Sequence, residues 1–517
     1  MHRQRPGRGT LTLVSPPPGR GRIVMPSVAA GVLLALSLPP WGWWPLGLVG
    51  AGLLYWRLAG LSWRTRIWSG WLAGLGCYAI GLFWARAFNW YGAVVLVLVE
   101  ALFFAAAALA TPPRRGRAPA FVGACTLAEA VRMTWPFGGL PLGGVFLGQA
   151  GSPLVELARL GGPLLITAGI WAGGVALATA CTATWAWRRH HRPAHRHHDR
   201  SGPSFIGPTV VAAGIVVLTV VGTVAPDGGA PVRTTRVALV QGGGQRGVSK
   251  QEVTPSSVFA SQVAATFVVA TAHPSPSLVL WPEDVVALGQ PLAGSPQAAL
   301  LGRLARQLHT TLVVGVTEPA STTSFRNEIV AWGPRGHIVG VFEKVHRVPF
   351  GEYVPLRSLF SHFANLSGVP VDAVPGHGTG LMRTPAGPLG LLVSFEVFYA
   401  GRSHESVRAG AQLLAVPTNT SSYSTSQVPT QEVAAAIVQA VETGRDLVQA
   451  APTGFSVVVT QRGVVLQRSA LGRRQVLFAT VAFRRGFTPY DDWGDLPLLL
   501  LAAAAVVAGW ARQLRYS

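Results

Sequence analysis

Eight apolar runs, each about the length of a membrane-crossing helix, leave this chain few ways to fold. They cover residues about 23–39, 43–60, 67–85, 91–111, 118–135, 163–186, 205–226 and 496–513. A bilayer core asks for roughly 17–25 such residues per helix. The first two runs are joined by a tight Pro39-Pro40-Trp41-Gly42 connection. The first run follows five arginines, as a signal peptide would. It lacks a small-residue cleavage site and six more runs follow at once, so it is expected to be retained. Only 12% of residues are charged, about half the share in soluble proteins, which speaks against a wholly soluble chain. The three cysteines, Cys77, Cys125 and Cys181, lie in apolar runs, which excludes a disulfide framework or a cysteine-based zinc site.

The net charge of +21 would suggest nucleic acid if it formed one patch. It is instead divided among the connections: Arg3, Arg5, Arg8, Arg20 and Arg22; Arg57, Arg64 and Arg66; Arg114, Arg115 and Arg117; Arg188, Arg189, Arg192, Arg196 and Arg200; Arg512 and Arg515. All five clusters fall on one side of an eight-span protein whose termini are both cytoplasmic, as basic loops do. The histidines His190, His191, His195, His197 and His198 sit within one such cluster. No carboxylate or cysteine pattern completes a metal site there, so a solvated loop is expected.

The chain therefore divides into a basic tail (1–22), a seven-span membrane domain (23–226), an extracytoplasmic polar domain (227–490) and a final span with its tail (491–517). Sixteen of the 21 acidic residues lie between 232 and 495. About 260 residues suffice for an independent core. Short β-branched runs recur at 235–241, 277–281, 311–317, 327–332, 338–343, 390–395, 412–416 and 455–460. Helical stretches such as 297–308 and 431–449 fall among them, which predicts an α/β layered sheet with helical cover.

Three of these runs end on an ionisable or hydroxyl residue, where α/β domains build sites. Glu283 follows Leu278-Val279-Leu280-Trp281-Pro282, a position suited to a raised pKa and general-base work. Lys344 opens Lys344-Val345-His346-Arg347-Val348-Pro349-Phe350-Gly351-Glu352-Tyr353-Val354-Pro355. Of 42 basic residues only Lys344 and Lys250 are lysines. A compact ammonium can stabilise an oxyanion in a tight pocket where a planar guanidinium fits poorly. Ser394 ends Leu391-Leu392-Val393, with Phe395 and Glu396 after it.

Together these stretches resemble the Glu–Lys–Cys signature of the nitrilase (carbon–nitrogen hydrolase) superfamily. They are more similar still to the apolipoprotein N-acyltransferase family, which joins eight membrane spans to such a domain. The Lys344–Pro355 stretch carries the most specific match. Support comes from Trp281-Pro282-Glu283, Val237–Gln241, Val441-Glu442-Thr443-Gly444-Arg445 and Pro452–Ser456, and Phe137–Gly144 is similar to the family's Gly-Phe-Pro-Trp region without the Trp. The resemblance implies an αββα sandwich inserted before the last span of a bacterial plasma-membrane protein. It implies that Glu283 is the general base, that Lys344 stabilises the oxyanion, and that Ser394 holds the nucleophile position. Glu352 and Glu396 would be supporting acids. No cofactor and no metal are implied. The partners would be a phospholipid acyl donor, a diacylglyceryl-modified lipoprotein and the bilayer, without nucleic acid, and the chain would act as a monomer.

The sequence departs from the family pattern where the chemistry is concentrated. Ser394 replaces the nucleophilic Cys and Phe395 a Tyr. The Asn-Asp-aromatic loop reads Asn419-Thr420-Ser421-Ser422-Tyr423, and Gln439 stands where an Arg is usual. A serine there fits a natural nucleophile activated by Glu283, a degenerate paralogue, or an engineered replacement; the several neighbouring departures favour a natural divergent member. The expected function is acyl transfer from a phospholipid to the N-terminal S-diacylglyceryl-cysteine of lipoproteins through an acyl-enzyme. The alternatives are a weak or inactive relative that binds lipoproteins or a partner enzyme, and a tethered amidase acting on a small soluble substrate.

Overall fold

A computed structural model describes residues 21–87, 89–190, 205–244, 253–362, 366–423 and 426–516. Helices form at all eight apolar runs: α1 (Gly21–Ser37), α2 (Pro45–Arg57), α3 (Trp63–Gly81), α4 (Trp90–Ala110), α5 (Arg117–Arg132), α6 (Ala158–His190), α7 (Ile206–Val224) and, at the far end of the chain, Leu496–Leu514. Among the described residues, four stretches are long and apolar enough to cross a membrane: Trp90–Ala110, Pro153–Arg188, Ile206–Val224 and Leu496–Leu514. The others are shorter, down to 13 residues in α2, or carry arginine, as α3 does at Arg64 and Arg66. His191, His195, His197, His198 and Lys250 lie outside the described residues.

Three buried charges of the helical part form one group. Arg132 pairs with Glu129 at 2.8 Å and Glu100 at 3.2 Å. It also donates to the carbonyls of Leu140, Leu142 and Pro141. A buried guanidinium left unpaired would cost several kcal/mol. Here two carboxylates and three carbonyls share it, so Arg132 pins the 140–142 loop to the end of α5.

The polar domain is a sandwich of two sheets. The first has the order β14-β1-β2-β4-β5-β6, from β1 (Arg233–Gln241), β2 (Leu278–Leu280), β4 (Thr311–Pro319), β5 (Ser324–Trp332), β6 (Ile338–Glu343) and β14 (Gln475–Phe483). Two short strands, β3 (Val286–Ala287) and β7 (Asp372–Ala373), pair with β4 and β5. The second sheet runs β13-β12-β11-β10-β9-β8, from β8 (Leu381–Thr384), β9 (Gly387–Leu391), β10 (Leu413–Pro417), β11 (Leu447–Ala450), β12 (Val457–Val459) and β13 (Val465–Arg468). The inner faces meet through residues such as Leu239, Val313 and Ile329 from one sheet and Leu389, Ala415 and Val448 from the other.

Each outer face carries helices. On the first, α8 (Pro255–Thr266) and α9 (Pro296–Gln307) cover Val279, Trp281 and Val314. On the second, α11 (Ala400–Arg408) and α12 (Val428–Thr443) cover Leu414 and Val416. This is a nitrilase-like αββα arrangement. The four-residue α10 (Arg357–Phe360) lies in the loop after β6, and α13 (Pro489–Trp493) leads into α14 (Leu496–Leu514).

Where β-branched runs occur, strand positions agree to within a few residues; β8, β13 and β14 fall outside those runs, and two stretches differ. The expected helix over 431–449 ends at Thr443, because Gly444 takes a left-handed conformation (φ +60°) that stops it. Leu447–Ala450 is then strand β11. The expected strand over 390–395 stops at Leu391, and Ser394–Phe398 forms a 3-10 turn instead.

The outer helical layer of the second sheet does not face water. One apolar cluster continues from Leu34, Tyr78, Phe146 and Trp171 of the helical bundle into Phe395, Val416 and Val433 of the sandwich. Side-chain amides of α12 and the residue before it reinforce this seam. Gln431 donates to the Gly81 carbonyl (3.1 Å) and accepts from the Gly143 amide (3.0 Å), and Gln427 donates to the Ile80 carbonyl (2.7 Å).

Candidate active site

Glu283, Lys344 and Glu352 come together at one end of the sandwich. Glu283 leaves the end of β2 through Trp281-Pro282, and its backbone packs on β4 at Gly315. A Cβ at residue 315 would lie 2.4 Å from the Glu283 Cα, so glycine permits that approach. Lys344 follows the last residue of β6, and its amide donates to the Asn327 carbonyl at 2.9 Å. Its ammonium, 2% exposed, donates to Glu283 Oε1 (2.9 Å) and Glu352 Oε1 (2.8 Å). Asn327 Nδ2 donates to the same two oxygens at 2.8 and 2.9 Å. The second oxygen of Glu352 accepts from the Val348 amide at 2.7 Å, closing the 348–352 turn.

Two carboxylates thus face one ammonium. Burial pushes Glu283 above the ordinary carboxylate range; Lys344 opposes that and Glu352 reinforces it. Burial acts to lower the Lys344 pKa, but the two carboxylates outweigh it and hold the lysine above its usual value. The lysine therefore stays a cation at any physiological pH, which suits stabilisation of developing negative charge. A buried carboxylate with a raised pKa is suited to proton exchange near neutrality.

Ser394 stands on a strained backbone. Its φ is +52°, a conformation that costs a non-glycine residue about 1–3 kcal/mol. Glu396 offsets that cost. Its carboxylate accepts from the amides of Val393 (2.8 Å), Val345 and His346 (both 2.9 Å), with Arg402 at 3.6 Å. One buried side chain therefore clamps the Ser394 turn to the segment that begins at Lys344. Glutamine at 396 cannot accept from all three amides. Glu396→Gln is expected to lower stability by about 2–3 kcal/mol, the cost of orphaned buried donors, read as a fall in melting temperature together with a loss of turnover.

The Ser394 hydroxyl does not bond to Glu283 or Lys344. Its hydrogen-bond partner among the described residues is Thr418, at 3.3 Å, which follows β10. Thr418 also bonds Glu432 of α12. Asn327, Thr418 and Glu432 had no distinguishing mark in the sequence. An asparagine opening a β-branched run and a glutamate on an apolar helix read as ordinary, and only the folded arrangement brings them to this point.

Segments of the helical bundle wall the site. Trp84, just after α3, meets Tyr423 edge-on at 5.4 Å. Tyr423 lies close enough to Glu352 and Glu283 that, after burial, their charge also raises its pKa. Tyr399 stacks on His346 at 4.5 Å and donates to the Gly139 carbonyl at 2.9 Å. Tyr353 donates to the Phe137 carbonyl at 3.2 Å. Exposed aromatic side chains meet there, Phe137 on Phe350 at 6.4 Å, and Trp135, Leu356 and Leu359 are exposed on the same two segments. Among the described residues no group of His, Cys, Asp and Glu could hold a metal ion.

A sandwich with this Glu–Lys–Glu group is of the carbon–nitrogen hydrolase class, and the family model described as "Carbon-nitrogen hydrolase" matches residues 236–486. The model of the apolipoprotein N-acyltransferase N-terminal domain matches residues 30–190. The apolipoprotein N-acyltransferase of Mycolicibacterium smegmatis is 30% identical, over 97% of this chain and 85% of that protein. Those of Geobacter metallireducens and Azotobacter vinelandii are each 29% identical over 94% of both chains. The chain belongs to the apolipoprotein N-acyltransferase family.

Proposed function

We propose that the protein moves an acyl chain from a membrane phospholipid to the α-amino group of the S-diacylglyceryl-cysteine at a lipoprotein N-terminus. Ser394 carries the acyl group between the two. The observation that supports this most is that three tyrosines around the Glu283–Lys344–Glu352 group, Tyr423, Tyr353 and Tyr399, contact Trp84 and the 137–139 loop of the helical bundle. A site for a small soluble substrate has no need of such walls. Both proposed substrates are lipidated, and the exposed contact of Phe137 with Phe350 gives their chains an apolar approach.

In this reading Lys344 stabilises the oxyanion of each tetrahedral intermediate, and Glu283 exchanges protons with the substrates. Glu352 holds the lysine, and Glu396 holds the turn that presents Ser394. The first half-reaction makes a serine ester and releases a lysophospholipid. The second makes an amide and frees the serine. Complementation of a bacterial strain lacking this acyltransferase tests the proposal, scored by mass spectrometry of a lipoprotein N-terminus. A third acyl chain is expected on the cysteine; its absence at normal protein levels favours the alternative of a lipoprotein-binding relative, for which Ser394 in place of Cys is the motive.

All eight apolar helices are proposed to cross the plasma membrane, with both termini cytoplasmic and residues 227–490 outside, and the chain acting as a monomer. The arginine clusters support this orientation. Reporter fusions at Gly229 and at the C-terminus are expected to report opposite sides; the same side for both would overturn the span count.

A further inference from the structure

We propose that Ser394 surrenders its proton through Thr418 to Glu432, a residue outside the Glu283–Lys344–Glu352 group. The inference rests on the reading of Ser394 as the nucleophile. It answers what replaces a thiol's own ionisation when the nucleophile is an alcohol.

The geometry is a chain of three side chains. Thr418 Oγ1 is placed to donate to Ser394 Oγ at 3.3 Å and to Glu432 Oε1. Gln449 Nε2 donates to the other Glu432 oxygen at 3.2 Å and fixes the carboxyl plane. Thr418 and Glu432 are fully buried, and Ser394 is half-buried. Glu283, by contrast, spends Oε1 on Lys344 and Asn327.

A threonine hydroxyl has one proton, so the chain has two states. With Glu432 ionised, Thr418 donates to Glu432, and the Ser394 hydroxyl turns from acceptor to donor toward Thr418, which points the serine proton down a path that ends on a base. With Glu432 neutral, it donates to Thr418, which donates to Ser394. Attack on the donor ester runs from the first state to the second. The Ser394 O–H bond breaks and its oxygen forms a bond to the acyl carbon. The serine proton goes to Thr418 as the threonine's own proton goes to Glu432. When the tetrahedral intermediate collapses, the bond from the acyl carbon to the glycerol oxygen breaks. The proton returns from Glu432 through Thr418 to that oxygen, leaving the serine ester, an alcohol and an ionised Glu432.

Burial of Glu432 supports the reading. It pushes the carboxyl up to about 8; the Thr418 bond opposes this, Glu283 adds to it and Lys344 subtracts from it. Gln449 and Thr418, which touch it, are uncharged. A base whose conjugate acid titrates near the working pH is the effective kind.

The test uses the full-length protein in lipid nanodiscs and a fluorophosphonate probe, which labels an activated serine whatever the lipid substrate. Wild type is expected to label at Ser394, with a rate that rises with pH and levels off above about pH 8. Thr418→Val and Glu432→Gln should each lower that rate at least about tenfold, and Glu432→Gln should abolish the rise with pH. Thr418→Ser should restore the wild-type rate. In a Ser394→Cys background, Glu432→Gln should change thiol alkylation by iodoacetamide by less than about twofold, since a thiol ionises without the relay. No labelling of wild-type Ser394 would overturn the nucleophile reading itself. Labelling that Glu432→Gln leaves unchanged in rate and pH profile would overturn the relay alone. An equal loss in the serine and cysteine backgrounds would also overturn it, by showing that Glu432 acts only through packing.

Discussion

Replacing Lys344 with methionine is expected to lower acyl transfer by about 10³-fold or more, since one lost oxyanion donor alone costs about 10²–10³-fold. Methionine keeps the length of the side chain and removes the ammonium. Glu283 and Glu352 would then face each other across Asn327 with no cation between them. Breaking a buried ion pair by deleting one partner costs about 3–5 kcal/mol, so a fall in stability is expected alongside the lost turnover. That fall has a definite dependence on pH. Without the lysine, which opposes the effect of burial, Glu283 is held further above its unfolded value in the folded state, so the folded chain keeps a proton that the unfolded chain releases. The variant is therefore most stable below the ordinary carboxylate pKa of about 4.3 and loses stability as pH rises through the raised Glu283 value. Melting temperatures of variant and wild type should diverge between acid and neutral pH. A variant that melts like wild type at both and retains turnover would remove Lys344 from the proposed mechanism.

Ser394→Cys is expected to raise acyl transfer, by on the order of 10²-fold, because a thiol is already a few per cent ionised at neutral pH and forms a better leaving group. The rest of the site stays in place: the clamp at Glu396, the lysine and its two carboxylates. Ser394→Ala should abolish turnover. Purified variants in a lipid-reconstituted assay, with lipoprotein peptide as acceptor, distinguish three outcomes. A faster cysteine variant means that nucleophile ionisation limits the natural enzyme. A cysteine variant no faster than wild type, with alanine dead, means a pocket adapted to oxygen. Equal inertness of all three would leave neither chemical account standing and favour a binding role.

Much of the molecule could be read from the chain before its structure. The eight apolar runs mark eight helices because apolar length is a property of sequence alone. The β-branched runs locate most of the buried sandwich strands, whereas β13, exposed along its length, and the half-buried β14 gave no such run. Lys344 stands out because the chain otherwise uses arginine almost throughout, and Glu283 and Glu352 follow from the stretches around them. Other parts had no local signal. The left-handed backbone at Ser394 is imposed by Glu396 together with the Lys344–His346 segment, about 50 residues away. Asn327 and Thr418 acquire their positions from pairing between β5 and β6 and between β10 and β11. Glu432 sits on a helix whose apolar residues gave no reason to single out one acid. The meeting of Trp84 with Tyr423 depends on docking two parts of the chain more than 330 residues apart.

The seam between sandwich and bundle has a mechanical consequence. Gln431 and Glu432 are neighbours on one helix: the first is bonded to Gly81 at the end of α3 and to Gly143, the second reaches toward Ser394. A tilt of α3 would thus be felt within one residue of the chemistry. Bilayers of different thickness tilt their helices differently. With α3 crossing the bilayer as proposed above, membrane thickness, set by the lengths of the very chains that the lipids carry, would act on the reaction as a force.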